Sequence, residues 1–184
     1  MSHLQEEQLI LVDREDREIG TMPKMEAHRK GLLHRAFSVF VFNERDELLI
    51  HQRAKGKYHS PGLWTNTCCS HPRKSEGTKE AAKRRLMEEM GFECELKQGF
   101  SFIYRADLGN GLIEHELDHV FVGRWNGVPA PNAEEVAQVR WLKIPELLDE
   151  IQEEPERYTY WFREILGKYR NELLEELEKL SENA

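Results

Sequence analysis

Cys69 and His71 lie two residues apart and are the pair in this chain best suited to acid–base chemistry. Side chains alternate along an extended segment, so these two share one face and Cys68 points to the other. A thiol close to cationic or metal charge titrates near neutral pH. The pattern leaves one alternative open, that both cysteines are small, buried apolar residues.

Histidines and glutamates elsewhere in the chain have the composition of a divalent-metal site. Glu114 and Glu116 share a face if their segment is a strand, and two close carboxylates repel unless a cation or a proton lies between them. Three imidazoles and two carboxylates suit a transition metal. The alternative is that the histidines are scattered by chance and the glutamates face solvent. The candidate ligands are His28, His34, His71, Glu114 and Glu116.

Basic residues form a third candidate group. Arg53 and Lys57 come after an apolar segment, and Arg85 lies one helical turn before Glu89. Arginine binds phosphate through two parallel hydrogen bonds, and lysine supplies a point charge. These residues therefore suit a phosphate-carrying substrate, although a solvated surface with an ordinary Arg–Glu pair would use the same residues.

Two aromatic residues are candidates for cation stabilisation. Tyr104 and Trp161 each lie in a short aromatic run. The face of a Trp ring attracts a cation through its quadrupole. Packing in the core is the alternative role for both residues.

Apolar periodicity predicts the elements that must position these residues. The strands are expected at residues 9–12, 18–22, 36–43, 47–53, 100–106, 114–123 and 136–143. The helices are expected at residues 78–90, 145–152 and, as one long amphipathic C-terminal helix, 157–180. The fold class is therefore α/β (α+β), a mixed β-sheet sandwich flanked by helices, with residues 1–184 as a single domain.

Composition excludes several classes of protein. Lys and Arg total 26 and Asp and Glu total 34, so the net charge of -8 disfavours a nucleic-acid partner. No apolar run approaches the roughly 18–20 residues of a membrane span. Three cysteines do not make a disulfide framework, and the first residues lack the basic and apolar regions of a signal peptide. We therefore expect a reduced, cytoplasmic protein without a membrane or nucleic-acid partner.

These segments resemble the type 1 isopentenyl-diphosphate isomerases, a branch of the Nudix superfamily. The resemblance runs from about residue 10 to residue 161, and Thr-Asn-Thr-Cys-Cys-Ser-His-Pro at 65–72 is its most specific part. The Glu-His-Glu run at 114–116 and the helix at 76–91 also contribute. Arg85 stands where the general Nudix hydrolase pattern has a metal-binding glutamate, and the isomerase branch shows the same departure.

The resemblance implies a Nudix-type fold and the interconversion of isopentenyl and dimethylallyl diphosphate. Cys69 and Glu116 would be the acid–base pair, Tyr104 would hydrogen-bond Glu116, and Trp161 would lie against a carbocation. The substrate diphosphate would contact Lys24, Arg53, Lys57, Ser70 and Arg85.

The resemblance also implies two cations and a monomer. One divalent metal, Mn²⁺, Zn²⁺ or Mg²⁺, would occupy the site of three histidines and two glutamates, and Mg²⁺ would join the substrate diphosphate to Glu89. Two other functions remain as alternatives. A Nudix hydrolase would release phosphate or a nucleotide monophosphate, and a Nudix-fold binding module would have no need of an acid–base pair.

Overall fold

The computed structural model describes residues 7–182 and contains a mixed β-sheet with helices on its two faces, which confirms the predicted fold class. No helix within these residues has the length and apolar character needed to cross a membrane. The strands are β1 (Gln8–Val12), β2 (Glu18–Pro23), β3 (His34–Phe42), β4 (Glu47–Arg53), β5 (Trp64–Thr65), β6 (Cys68–Ser70), β7 (Leu96–Gly109), β8 (Leu112–Arg124) and β9 (Val136–Lys143). The helices are α1 (Lys24–Lys30), α2 (Thr78–Met90), α3 (Ile144–Glu153), α4 (Tyr160–Lys168) and α5 (Arg170–Glu182), and a 3₁₀ turn spans Pro155–Arg157.

Strand β3 lies at the centre of the sheet and divides the core into two halves. Its side chains alternate, so Phe40 and Phe42 pack under α4 and α5, whereas Val39 and Val41 pack under α2. A strand that is buried on both faces is apolar almost throughout, which is why residues 36–42 carry the strongest strand signal of the chain.

Strand register brings the chemically interesting residues to β3. Strand β8 runs parallel to β3 with Glu116 opposite His34, and β6 runs antiparallel to β3 with Cys69 opposite Ser38. Strand β7 adds Tyr104 opposite Glu116. Residues that are far apart in the sequence therefore lie on neighbouring strands.

Helix α2 begins and ends at the predicted residues. Its apolar stripe of Ala82, Leu86 and Met90 is fully buried against the sheet. Gly91 ends the helix with a positive φ of 73°, and a Cβ atom there would lie 2.5 Å from the carbonyl oxygen of Ala130. Only glycine adopts a positive φ without strain and has no Cβ atom to clash with Ala130, so this residue determines where the helix ends.

The prediction of one long C-terminal helix was wrong. The helical region begins at Tyr160 rather than near residue 157, and it is interrupted at Tyr169, which separates α4 from α5. The Tyr169 ring lies 4.7 Å from that of Phe102 and 5.6 Å from that of Phe100. Helical periodicity continues through both helices, so the pattern gave no sign that the chain bends to seat this ring against β7. The short elements α1, β5 and β6 were also not predicted as a helix and strands.

Candidate active site

A cavity of about 760 Å³ opens beside β3, and it contains most of the predicted site. All of the predicted site residues line it except His28 and His34, which are fully buried. The side chains come from helices α1, α2 and α4, from strands β4, β6, β7 and β8, and from the loops that follow β4 and β6. The fold therefore gathers into one place residues that the sequence analysis could only treat as separate groups.

Three histidines and one glutamate form a compact buried group. One ligand atom from each of His28, His34, His71 and Glu116 lies within 4.8 Å of all the others. The Nε2 atom of His71 is 3.0 Å from Glu116 Oε1, and that of His34 is 3.4 Å from the same oxygen. Glu114 lies on the same face of β8 and lines the same cavity, but it is outside this compact group.

The tautomers of two histidines favour metal binding. The Nδ1 atom of His28 lies 2.7 Å from the Lys24 carbonyl oxygen, and that of His34 lies 2.9 Å from the Leu32 carbonyl oxygen. A carbonyl only accepts, so each Nδ1 carries the proton and each Nε2 has a free lone pair. Burial also lowers the pKa of His28 to about 4, which keeps its ring neutral.

Several polar atoms of this group and of the adjacent Glu114 are buried without a hydrogen-bond partner among the described residues. They are Nε2 of His28, Nε2 of His34, Nδ1 of His71 and Oε2 of Glu114. An unpaired buried polar atom is costly, and a cation satisfies such atoms while a backbone carbonyl orients the His28 and His34 rings from behind. The residues present therefore fit a divalent metal.

Glu116 is also the acid–base candidate, and its two oxygens have different partners. The Tyr104 hydroxyl donates to Oε2 at 2.7 Å, and Oε1 faces His71. Burial alone would raise the pKa of Glu116, but the neighbouring imidazoles of His34 and His71 hold it well below its usual range. The carboxylate is thus ionised and held from two sides.

Cys69 enters the cavity from another strand. Strands β6 and β8 both pair with β3, so the thiol and the Glu116 carboxylate belong to different strands that border one cavity. Burial raises the pKa of the Cys69 thiol to about 12, so the thiol keeps its proton. Cys68 points into the apolar core under α2, which confirms the predicted alternation.

Two of the basic residues that line the cavity are paired with carboxylates. Arg85 Nη2 lies 2.5 Å from Glu89 Oε1 and 3.5 Å from Glu135 Oε1, and Lys57 also pairs with Glu135. The Arg53 guanidinium donates to the His59 carbonyl oxygen. The cavity lining therefore combines several cations with the carboxylates of Glu89 and Glu135.

Lys24 and Ser70 border the same cavity. The Lys24 amino group lies 2.7 Å from Glu7 Oε2 and 5.2 Å from the centre of the Tyr58 ring. Ser70 ends β6, pairs with Phe37 of β3 and is partly exposed. Both positions are compatible with contact to a bound anion.

The structure adds residues that the sequence analysis missed. His59 Nε2 lies 3.8 Å from Glu114 Oε1, and its ring centre is 6.0 Å from that of Trp161. His59 and Glu135 lie in loops, where side chains follow no period, so no sequence signal was available for them. Asp118 does not line the cavity but accepts a hydrogen bond at 2.7 Å from the hydroxyl of Ser38, which does. It continues the alternation of Glu114 and Glu116 along β8, so extending that pattern by two residues would have found it.

Asn66 links two parts of the site. Its Oδ1 accepts from the Trp161 indole nitrogen at 3.2 Å, and its Nδ2 donates to the Cys68 carbonyl oxygen at 2.8 Å. Helix α4 is thereby attached to the strand that carries Cys69. Asn66 belongs to the specific string at 65–72, so that string was the signal that would have identified it.

Comparisons with known proteins agree with this geometry. The family model for the NUDIX domain matches residues 32–162. An isopentenyl-diphosphate Delta-isomerase from Burkholderia multivorans is 55% identical over 157 residues, which cover 85% of this chain and 89% of that protein. An isopentenyl-diphosphate Delta-isomerase 2 from Aromatoleum aromaticum is 51% identical over 163 residues, which cover 89% of this chain and 86% of that protein.

Solved structures share the fold at low sequence identity. DR0079 from Deinococcus radiodurans superposes with a TM-score of 0.74 at 22% identity, covering 88% of this chain and 98% of that chain. A MutT protein from Methanosarcina mazei superposes with a TM-score of 0.64 at 18% identity, covering 76% of this chain and 94% of that chain. The NUDIX match and relatives about half identical over most of their length lead to one conclusion: this chain belongs to the isopentenyl-diphosphate Delta-isomerase family of Nudix-domain proteins.

Proposed function

We propose that Cys69 and Glu116 are the acid–base pair with which this chain interconverts isopentenyl diphosphate and dimethylallyl diphosphate. One group adds a proton to the terminal alkene carbon, which leaves a tertiary carbocation at C3. The other group removes a proton from C2, the CH₂ carbon next to the cation. One proton enters and one leaves, so the net change is the position of the double bond. Two groups on different strands of one cavity suit such a transfer.

One observation supports this proposal above all others. A buried carboxylate that Tyr104 and His71 hold in place shares a cavity with a thiol, and cationic side chains line the same cavity. The general Nudix hydrolase pattern has a metal-binding glutamate at the position in α2 where this chain has Arg85, so a cation replaces one carboxylate of the hydrolase cluster. A binding module would have no use for a protonated thiol and an ionised carboxylate together.

Trp161 and Tyr104 would protect the reaction. Trp161 is buried, and the hydrogen bond to Asn66 orients its indole ring. Its π-system would stabilise a passing carbocation and keep water away from it. The Tyr104 hydroxyl would hold Glu116 and assist its proton transfer through the 2.7 Å hydrogen bond.

His28, His34, His71 and Glu116 would hold a divalent metal, with Glu114 as the fifth ligand. The three imidazole nitrogens favour Zn²⁺ or Mn²⁺ over Mg²⁺, which prefers oxygen ligands. When bound, the ion supplies positive charge that tunes the acidity of the Glu116 carboxyl group. The residues themselves orient that carboxyl group toward the cavity.

The diphosphate would lie at the cationic end of the cavity. Arg53, Lys57 and Arg85 would bind its oxygens, with Lys24 and Ser70 as further contacts at the border. Mg²⁺ would bridge the diphosphate and Glu89, because Mg²⁺ commonly combines one or two protein carboxylates with substrate phosphates.

We also propose that residues 1–184 act as one domain in the cytoplasm. Helices α4 and α5 share their core with the sheet, which supports a single folding unit. Cys68, Cys69 and Cys94 are all free thiols, which supports a reducing compartment.

Deuterium incorporation tests the proposed function directly. The metal-loaded protein is incubated with Mg²⁺ and isopentenyl diphosphate in heavy water, and the products are followed by NMR. We expect dimethylallyl diphosphate with deuterium in a methyl group, because the added proton comes from groups that exchange with solvent. Release of phosphate would indicate a hydrolase instead, and recovery of unlabelled substrate alone would indicate a binding protein.

A further inference from the structure

Glu135 places a carboxylate among the cations that line the cavity. It lies directly before β9, pairs with Lys57 and lies 3.5 Å from Arg85 Nη2. The same nitrogen lies 2.5 Å from Glu89 Oε1. Two of the cations that would hold a diphosphate are therefore already paired with protein carboxylates.

The backbone fixes Glu135 at this place. Its carbonyl oxygen accepts from the Ala54 N–H at 3.0 Å, and its own N–H donates to the Asn132 carbonyl oxygen at 3.0 Å. The Asn132 N–H in turn donates to the carbonyl oxygen of Glu89 at 2.9 Å. The segment is thus attached both to the end of β4 and to α2. The Glu135 carboxylate can turn by side-chain rotation, but its backbone cannot move away without breaking these hydrogen bonds.

This arrangement has opposite consequences for free and magnesium-bound diphosphate. A free diphosphate carries several negative charges, and Glu89 and Glu135 would repel it at short range in a partly enclosed site. Mg²⁺ reduces that charge and accepts oxygens from phosphate and carboxylate alike. We propose that Glu135 is a specificity-determining residue that makes the cavity select the Mg²⁺ complex of a diphosphate over the free anion. The proposal rests on the proposed function, because it assumes a diphosphate ligand.

Calorimetry with a non-reacting ligand tests this role. Methylenediphosphonate, a diphosphate analogue with a carbon bridge, is titrated into the full-length, metal-loaded protein without Mg²⁺ and with saturating Mg²⁺. The quantity compared is the Kd without Mg²⁺ divided by the Kd with saturating Mg²⁺. We expect Glu135→Gln to lower this ratio about tenfold, mainly through tighter binding without Mg²⁺, since one repulsive charge near the ligand is removed.

Glu88→Gln is the matched control. Glu88 pairs with the same Arg85 through Nη1 at 2.6 Å, but its side chain is 40% exposed and it does not line the cavity. Removing the Glu88 charge should leave the ratio of Kd values within about twofold of the parent value. An equal fall in both variants would mean that freeing Arg85, rather than removing a charge from the site, changes the binding.

The outcomes separate this inference from the proposed function. If the parent binds the analogue and Glu135→Gln leaves the ratio unchanged, Glu135 does not select the Mg²⁺ complex. If the parent binds neither form, the proposed function itself fails. Thermal unfolding checks that the Glu135→Gln variant is folded. Glu135→Ala removes the same charge without introducing an amide, and it must lower the ratio as well.

Discussion

The adjacent residues Cys68 and Cys69 are chemically identical but lie in different environments. Cys68 is fully buried among apolar side chains under α2, whereas Cys69 borders the cavity. The cause is the extended backbone of β6, which turns successive side chains to opposite faces. The alternation predicted from the sequence is confirmed.

Substitution of each cysteine by alanine should therefore have different effects. Cys69→Ala should lower kcat by about 10²–10⁴, the usual contribution of a positioned acid or base. Cys68→Ala should change kcat less than about threefold and mainly lower stability, because it leaves a small void in the core. NMR of the isomerisation together with thermal unfolding measures both effects. Near-normal turnover by Cys69→Ala, or an equal loss in both variants, would contradict the assignment.

Helices α4 and α5 both contribute side chains to the apolar core, and α4 also contributes one to the cavity. Helix α4 supplies Trp161 to the cavity, and α5 covers the same apolar cluster with Leu173 and Leu177. The break at Tyr169 separates the two helices, and the Tyr169 ring packs against Phe100 and Phe102 of β7. The acidic residues of α5 mostly face solvent, as its amphipathic pattern indicates.

Truncation of an α5 core residue should destabilise the whole protein. Leu173 is fully buried, so Leu173→Ala should lower the free energy of unfolding by about 2–5 kcal/mol. Glu175 is exposed on the same helix, and Glu175→Ala should change it by less than about 0.5 kcal/mol. Urea unfolding of both variants makes the comparison. Equal, small changes would show that α5 is not part of the folded core.

At the scale of the whole molecule, buried neutral histidines make the fold sensitive to acid. His51 lies in β4 with Nδ1 3.0 Å from the Thr67 carbonyl oxygen, and burial lowers its pKa to about 3. The unfolded chain binds that proton with the ordinary pKa of about 6.5. The contribution of His51 to stability is therefore complete above about pH 6.5 and is lost as the pH falls toward 3.

His51→Gln should remove part of this acid sensitivity. Glutamine has no group that titrates in this range, so the fall in the free energy of unfolding between pH 7 and pH 4.5 should be smaller than in the parent by about 2–3 kcal/mol. Urea unfolding of the metal-free proteins at both pH values gives the two differences, and the other histidines contribute to both alike. Identical falls would mean that His51 is not the buried neutral group described above.

Local patterns in the sequence determined most elements and the identity of the family. Helix α2 was predicted at its observed bounds, because an apolar stripe and a glycine that tolerates positive φ are properties of neighbouring residues. The string at 65–72 was specific enough to indicate the isomerase branch. The alternation around Glu114 and Glu116 correctly placed both on one face of β8.

Only the tertiary structure decided how these pieces meet. The group of His28, His34, His71 and Glu116 combines residues from α1, from β3, from the loop after β6 and from β8. Its assembly depends on the parallel pairing of β3 with β8, a contact between distant segments that no local period encodes. For the same reason, the sequence did not predict the roles of the loop residues His59 and Glu135 or the break at Tyr169. Periodicity reports which face of an element is buried, whereas strand pairing and packing across the sheet determine which faces come together.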